Sequence, residues 1–173
     1  ALLSGAAPGE QVVDLCAGSG TMAAAVAAEA PHATVHAVER DPGAGPWLRR
    51  NAAAHGYTAH VTDVDGCLPE LSGSLDVVVA NPPYIPVGAV PRDPEVRLHD
   101  PEIALYGGED GLDVVRQVSA TAQRLLHPGG TLVLEHGELQ AAQIAALLTA
   151  DGWRAVAHHR DLLGRDRATT ALR

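Results

Sequence analysis

Short runs of apolar, often β-branched residues alternate with longer stretches of helical periodicity along most of the chain. Most of the runs are apolar at nearly every position, as in strands that are buried on both faces of a sheet. Predicted strands occupy residues 11–15, 34–39, 58–62, 75–80, 131–135 and 153–159, with a weaker seventh at 168–172. Predicted helices occupy residues 21–30, 44–55, 113–127 and 138–150. This alternation predicts an α/β fold: a parallel sheet with helices on both faces.

Residues 81–111 interrupt the alternation and show no clear period. This segment contains six of the 12 prolines in the chain. Long irregular segments inside compact domains are usually functional or disordered, and prolines stiffen the backbone. We therefore predict a shaped substrate-binding loop here, with a tolerated insertion as the alternative.

Glycines and polar residues follow four consecutive predicted strands. They are Asp14 with the loop to Gly20, Glu39, Asp63 with Val64, and Asn81. Because ligands of open parallel sheets bind at the carboxyl ends of the strands, these residues are expected to meet at one edge. The pattern predicts a binding site there.

The acids at this edge suit a nucleoside-like ligand. Glu39 can accept both hydroxyl groups of a ribose, and Asp63 can accept from an adenine amine while the Val64 amide faces a ring nitrogen. Other readings stay open: Glu39 as a solvated strand end beside Arg40, and Asp63 as a turn or cap residue. Asp14 is expected either to meet an ammonium group or to steady the glycine loop.

Residues 18–23 also match the dinucleotide pattern G-x-G-x-x-A, so a nicotinamide enzyme is a further alternative. In such enzymes the glycines follow the strand almost directly and hold a diphosphate. Here Asp14 precedes Gly18 by several residues and places an acid along the ligand. An acid favours a cationic ligand.

The tetrapeptide Asn81-Pro82-Pro83-Tyr84 carries the most specific chemistry. The Asn81 side-chain oxygen and the Pro82 carbonyl can both accept from one NH2 group, and the prolines offer no competing donor. The Tyr84 ring can pack on the flat group that carries the nitrogen. The tetrapeptide is therefore suited to a planar primary amide or an exocyclic amine.

Composition narrows the function further. The chain has 173 residues, 46% of them hydrophobic, and a formal charge of −9. The charge argues against broad binding to nucleic acid or to an anionic membrane. No run of about 18 apolar residues predicts a membrane span. Cys16 and Cys67 form no metal or disulfide pattern, and the nine histidines show no zinc spacing, so no metal is expected. Of the histidines, only His136 falls near the predicted binding edge of the sheet. The neighbouring Glu135 is expected to organise the long loop at 81–111.

These residues resemble the release factor glutamine methyltransferase (HemK-like) family of class I S-adenosylmethionine-dependent methyltransferases. The matching stretches are VVDLCAGSG (12–20), NPPYIP (81–86), PEIALYGG (101–108) with DGLD (110–113), PGGTLVLEHG (128–137) and DLLGRDR (161–167). The resemblance implies that the cofactor is S-adenosylmethionine and that these residues contact it: Cys16, Ala17, Gly18, Ser19, Gly20, Glu39, Val64 and Asn81. It implies that residues 81–84 hold a glutamine side chain.

The resemblance also implies a Rossmann-like sheet of seven strands, mostly parallel, with the last strand antiparallel. Residues 1–173 are expected to form one methyltransferase domain without the N-terminal helical domain of the family, which either was cut away or is lacking in a shorter relative. The implied partner is a peptide chain release factor, modified in its Gly-Gly-Gln segment. The implied compartment is the cytoplasm.

The implied reaction moves a methyl group to the glutamine amide nitrogen, with Asn81, Pro82 and Tyr84 as catalytic residues. One alternative is an amino-methyltransferase for adenine in DNA or RNA, which uses a similar motif but needs basic surface. Another is a non-catalytic module that binds the cofactor, against which the intact tetrapeptide argues.

Overall fold

Seven strands form one sheet, and six helices connect them in the part of the chain that the structure describes. The structure is a computed structural model that describes residues 9–91 and 93–173. The strands are β1 (Gln11–Leu15), β2 (Thr34–Glu39), β3 (Thr58–Val61), β4 (Leu75–Ala80), β5 (Leu126–Glu135), β6 (Arg154–Arg160) and β7 (Asp166–Leu172). The helices are α1 (Thr21–Glu29), α2 (Gly45–His55), α3 (Pro94–His99), α4 (Glu102–Leu105), α5 (Asp113–Leu125) and α6 (Ala141–Ala150), with a 3-10 turn at Pro69–Leu71.

The strand order is β3-β2-β1-β4-β5-β7-β6. Strands β1 to β5 pair in parallel, and β7 runs antiparallel to both β5 and β6. The order reverses direction between β1 and β4, where open α/β sheets place their ligand crevice. The predicted α/β fold with an antiparallel last strand is confirmed.

Alternate residues of β1 supply two separate cores, one on each face of the sheet. Val12 packs in a cluster with α1 and α2, whereas Val13 packs in a larger cluster with α5 and α6. This follows from the two-residue period of a strand. Because the chain has no Phe, valine, leucine and alanine fill most of both clusters. Across residues 9–91 and 93–173 no helix has the length and apolar character to cross a membrane.

Three predicted boundaries were wrong: the end of α5, the start of β5 and the start of α6. Helix α5 ends at Leu125 and β5 begins at Leu126, because Leu126 already pairs with Leu75 of β4. The following Pro-Gly-Gly stretch is extended, since Gly129 and Gly130 exchange backbone hydrogen bonds with Arg173. Helix α6 begins at Ala141 rather than at residue 138.

The predicted loop at 81–111 contains two short helices, α3 and α4, among its described residues. Helix α3 begins after Asp93, whose carboxylate accepts from the amide of Glu95 at 2.9 Å, with Pro94 in the first turn. Both features are common helix-start signals. The two helices have only 6 and 4 residues, too few to show a helical period in the sequence.

Candidate functional site

The loop after β1 turns sharply, with Cys16, Gly18 and Gly20 all at positive φ. A Cβ atom on Gly20 would lie 2.0 Å from the Tyr57 hydroxyl oxygen, so only glycine fits there. A Cβ atom on Gly18 would meet nothing within 4 Å, because this part of the loop faces open space. The loop therefore presents bare backbone toward a cavity, as a closely approaching ligand requires.

Glu39 joins this loop to the end of β2. Its carboxylate accepts from the amides of Gly18 and Asp41, both at 2.7 Å, and the residue is 9% exposed. A carboxylate has about four acceptor sites, so both oxygens can still accept from a ligand hydroxyl. Asp63 is exposed, and its Oδ1 accepts from the amide of Asp65 at 3.0 Å, a turn contact.

Two neighbouring cavities lie at this edge of the sheet. The first has a volume of about 400 Å³, and the predicted site residues that line it are Cys16, Gly18, Ser19, Glu39, Asp63, Val64, Asn81 and Pro83. The second has a volume of about 420 Å³, and Ala17, Pro82 and Tyr84 join Cys16, Gly18, Ser19 and Asn81 in lining it. Asn81 thus borders both cavities. Their sizes are ordinary for small-molecule sites.

Asp14 and Gly20 line neither cavity. Asp14 is fully buried, and its Oδ2 accepts from the amide of Ala23 in the first turn of α1 at 3.0 Å. Its Oδ1 has no hydrogen-bond partner within residues 9–91 and 93–173. Burial, with a smaller contribution from the charge of Glu39, raises the pKa of Asp14 to about 7. The geometry favours the loop-steadying role, and contact of Asp14 with a cofactor stays a prediction.

Cys16 borders both cavities, but its thiol is unreactive. Burial raises the pKa of its thiol to about 12, and the charges of Glu39 and Asp14 act in the same direction. The group is therefore protonated near neutral pH and is a poor nucleophile. Its part in this site is steric.

The tetrapeptide extends from the end of β4 with Asn81 exposed and both prolines buried. Among the described residues, the Asn81 side chain makes no hydrogen bond, which leaves its oxygen and nitrogen free for a ligand. Ile85, which follows the tetrapeptide, is anchored through its backbone. Its amide donates to the Leu105 carbonyl and its carbonyl accepts from the Gly107 amide, both at 2.9 Å. The residue that follows the tetrapeptide is thus held by the last residue of α4 and by the segment after it.

Two glycines let that segment approach the tetrapeptide backbone. A Cβ atom on Gly107 would lie 2.4 Å from the Pro83 carbonyl oxygen, and one on Gly111 would lie 2.4 Å from the Tyr84 carbonyl oxygen. Neither role was predicted, although both residues fall in the stretches that carry the family resemblance. The signal available in the sequence was the concentration of glycine at positions 107, 108 and 111.

Tyr84 is half-buried beside Gln140 and Arg167. Its carbonyl oxygen accepts from Nε2 of Gln140 at 2.9 Å, and its side chain lines a further cavity together with Arg167. Burial and the nearby charge of Glu135 raise the pKa of the phenol, while Arg167 lowers it. The positions of Gln140 and Arg167 beside Tyr84 were missed, because both residues are distant from it in the sequence.

His136 lies behind the site and lines neither cavity. It is fully buried, with Nδ1 2.9 Å from the Gly137 carbonyl oxygen and Nε2 2.9 Å from the Thr169 hydroxyl oxygen. Burial lowers its pKa. Burial also raises the pKa of Glu135, against the effect of Arg167. His136 is a neutral part of the scaffold.

Comparisons with known proteins identify the family and the fold of the chain. The family model described as the methyltransferase small domain matches residues 2–92. A methyltransferase crystal structure from Pyrococcus furiosus superposes with a TM-score of 0.67, covering 95% of this chain and 74% of that one at 21% identity, which supports the fold.

Two relatives from Streptomyces are much more similar in sequence. The release factor glutamine methyltransferase of Streptomyces coelicolor is 46% identical over 162 residues, which cover 92% of this chain and 58% of that protein. The 4-amino-L-phenylalanine/4-methylamino-L-phenylalanine methyltransferase of Streptomyces pristinaespiralis is 50% identical over 141 residues, which cover 82% and 48%. The chain thus spans about half the length of these curated relatives. The resemblance to the release factor glutamine methyltransferases is confirmed, and the chain belongs to the methyltransferase small domain family.

Proposed function

We propose that this protein transfers a methyl group from S-adenosylmethionine to the side-chain amide nitrogen of a glutamine in a protein, the Gly-Gly-Gln segment of a peptide chain release factor. The observation that carries the proposal is the position of Asn81. Its unpaired side chain borders both cavities, beside the buried Pro82. A group that contacts both cavities can hold an acceptor nitrogen next to a methyl donor.

The residues of the first cavity fit S-adenosylmethionine. Gly18 leaves open space where a side chain would block a ligand, and Glu39 keeps free acceptor sites for the two ribose hydroxyls. Asp63 and the Val64 amide would hold the adenine. When bound, the cofactor supplies an electrophilic methyl group on a sulfonium.

The chain contributes alignment and hydrogen-bond acceptors. The Asn81 Oδ1 and the Pro82 carbonyl would accept the two N–H bonds of the glutamine amide and draw electron density toward its nitrogen. The Tyr84 ring would pack on the amide plane. Orientation of this kind can supply roughly 7–11 kcal/mol, and fixed dipoles around the developing positive charge add to it.

The proton that leaves the methylated nitrogen needs no strong base, because an N-methylated amide cation is very acidic. The nearby candidates for a base are also unsuited. Cys16 holds its proton, and the two ring nitrogens of His136 contact Gly137 and Thr169. The proton is expected to pass to water.

We assign residues 1–173 to a single methyltransferase domain that acts in the cytoplasm, where release factors work. The two thiols, which are unpaired in the structure, are compatible with a reducing compartment. Adenine in nucleic acid is the weaker substrate class, since a net charge of −9 argues against the basic surface that nucleic acid requires.

A second candidate function is methylation of an aromatic amine on a free amino acid. The 50% identity to the Streptomyces pristinaespiralis enzyme favours it. An aromatic amine is, like a glutamine amide, a planar NH2 donor, so the same acceptors at Asn81 and Pro82 would serve. The two candidates differ in the size of the substrate rather than in the reacting group.

Labelled-methyl transfer from S-adenosylmethionine separates these functions. The acceptors are a release factor with its Gly-Gly-Gln segment, the same factor with that glutamine replaced by alanine, free 4-amino-L-phenylalanine, and an adenine-containing oligonucleotide. Label in the first factor alone, mapped to the glutamine, is the expected result. Label in the free amino acid alone would replace the proposal by the second candidate, and label in the oligonucleotide would overturn both.

A further inference from the structure

Gln140 stands at the start of α6 but does not act as a cap of that helix. The residue before a helix usually accepts a backbone N–H of the first turn with its side chain. Gln140 makes no such bond. Its buried amide instead spans two other segments, with Oε1 3.0 Å from the Gly137 amide nitrogen and Nε2 2.9 Å from the Tyr84 carbonyl oxygen.

The orientation of this side-chain amide follows from its partners. A backbone N–H can only donate, so the oxygen of the amide must face Gly137. The nitrogen must therefore face Tyr84, whose carbonyl can only accept. Gly137 is itself held from behind, since its carbonyl oxygen accepts from Nδ1 of the buried His136.

Two glycines leave the space that Gln140 fills. A Cβ atom on Gly137 would lie 2.8 Å from Oε1 of Gln140, and one on Gly111 would lie 2.9 Å from its Nε2. The side chain is thus enclosed between two stretches of bare backbone. A donor fixed in this way determines where the Tyr84 carbonyl, and the backbone on either side of it, can lie.

We propose that Gln140 is a positioning residue, which acts through the Tyr84 carbonyl to orient residues 81–84 for methyl transfer. The inference rests on the proposed function, since it assigns the acceptors of the reacting nitrogen to Asn81 and Pro82. Small displacements at a reacting centre are costly: a shift of about 1 Å can lower a rate by roughly 100-fold. Gln140 touches no reacting atom.

The variant Gln140→Glu tests this role because it changes one hydrogen bond and almost no volume. The new carboxylate still accepts from Gly137 but has no proton to donate to Tyr84. When the carboxyl is protonated it can donate again. Burial beside a carbonyl favours the protonated form, as do Asp110 and Glu138, which line the same cavity as Gln140. Arg165 and Arg167 of that cavity favour the charged form. The second variant, Gln140→Met, removes both hydrogen bonds at every pH.

The matched control is Gln123→Glu on α5. Gln123 also donates from Nε2 to a backbone carbonyl, that of Asp151, at 2.6 Å, and it lines none of the cavities at the site. The measurements are kcat and KM for methyl transfer from pH 6 to 8, the Kd of S-adenosylmethionine, and the melting temperature of each variant.

We expect kcat of Gln140→Glu to fall about tenfold at pH 8 and to recover relative to wild type toward pH 6. The Kd of the cofactor should stay within about twofold. Gln140→Met should lose kcat without recovery, and the control should match wild type. Equal kcat in Gln140→Glu and wild type at pH 8, or a loss without any recovery at lower pH, would overturn the proposal. Failure of both Gln140 variants to fold would also overturn it, by assigning the residue a structural role.

Amide hydrogen exchange separates failure of this inference from failure of the proposed function. If wild type methylates no glutamine, the proposed function fails, and exchange still reports on the tetrapeptide. The Ile85 and Gly107 amides, which flank Tyr84 in space, should exchange about tenfold faster in Gln140→Glu at pH 8. The Ala17 amide, bonded to Val38, should be unchanged. Equal exchange at Ile85 and Gly107 in variant and wild type would contradict the positioning role.

Discussion

The candidate site at the carboxyl ends of the strands has two halves, which are built in different ways. We call residues 16–18, Glu39, Asp63 and Val64 the cofactor half, and residues 81–84 with Gln140 and Arg167 the substrate half. In the cofactor half, short loops after β1, β2 and β3 contact one another, as Glu39 contacts Gly18. In the substrate half, segments far apart in the chain meet, as Gln140 meets Tyr84 across 56 positions.

This difference predicts that the halves can be damaged separately. The cofactor half is held by a few contacts between neighbouring loops, such as that of Glu39 with Gly18, and these contacts should survive changes elsewhere in the chain. The substrate half depends on the segment 105–111, on the start of α6 and on the start of β7, so a change in any of these distant segments can alter its geometry.

The largest expected effect separates catalysis from cofactor binding. Asn81→Ala removes an acceptor at the reacting nitrogen, and loss of one preorganised hydrogen-bonding group commonly lowers kcat by about 10²- to 10³-fold. Transfer should therefore be almost abolished, whereas S-adenosylmethionine should still bind, with weakened affinity. Asn81→Asp, which keeps acceptor oxygens, should retain more activity. Full activity of Asn81→Ala in a labelled-methyl assay would contradict the proposed mechanism.

A change in the cofactor half is expected to weaken cofactor binding and to leave kcat almost unchanged. Glu39→Ala removes the buried carboxylate that supports Gly18 and is proposed to bind the ribose, and hydrogen bonds to charged groups contribute about 1.5–3 kcal/mol. Isothermal titration calorimetry should show the Kd of S-adenosylmethionine rising about 10- to 100-fold. At saturating cofactor, kcat should change little. The exposed Glu29 at the end of α1 provides the control Glu29→Ala; if both variants bind the cofactor like wild type, Glu39 has no role in the site.

The smallest expected effect is a pH dependence of stability that comes from Asp14, which lies behind the loop of the cofactor half. Because burial raises the pKa of Asp14 to about 7, the native state binds more protons than the unfolded state from about pH 4 to 7, and stability falls as pH rises. Between pH 5 and 8 wild type should lose about 2–3 kcal/mol of unfolding free energy relative to Asp14→Asn. The cost of the buried amide in that variant does not vary with pH. Urea unfolding at both pH values measures the difference, and parallel pH dependences would show that Asp14 is ionised at its ordinary pKa.

Much of the fold could be predicted because its signals are local. The buried strands are nearly continuous apolar runs, and β1, β2 and β4 lie where the pattern placed them. The seventh strand was predicted only weakly, since its residues alternate in character and its pairing with β5 and β6 supplies most of its order. Helices α3 and α4 were missed because one or two turns are too short for a periodic pattern.

The sequence by itself determined the α/β alternation, the edge where the glycine loop and the acids gather, and the tetrapeptide 81–84. These features depend on neighbouring residues and on the rule that parallel strands end on one side. The tertiary structure alone decided what holds the tetrapeptide: Gly107, Gly111, Gln140 and Arg167 reach it across the fold. It also decided that Asp14 turns into the scaffold with a raised pKa, because burial and partners are set by packing, and packing between distant segments leaves no local pattern in a single sequence.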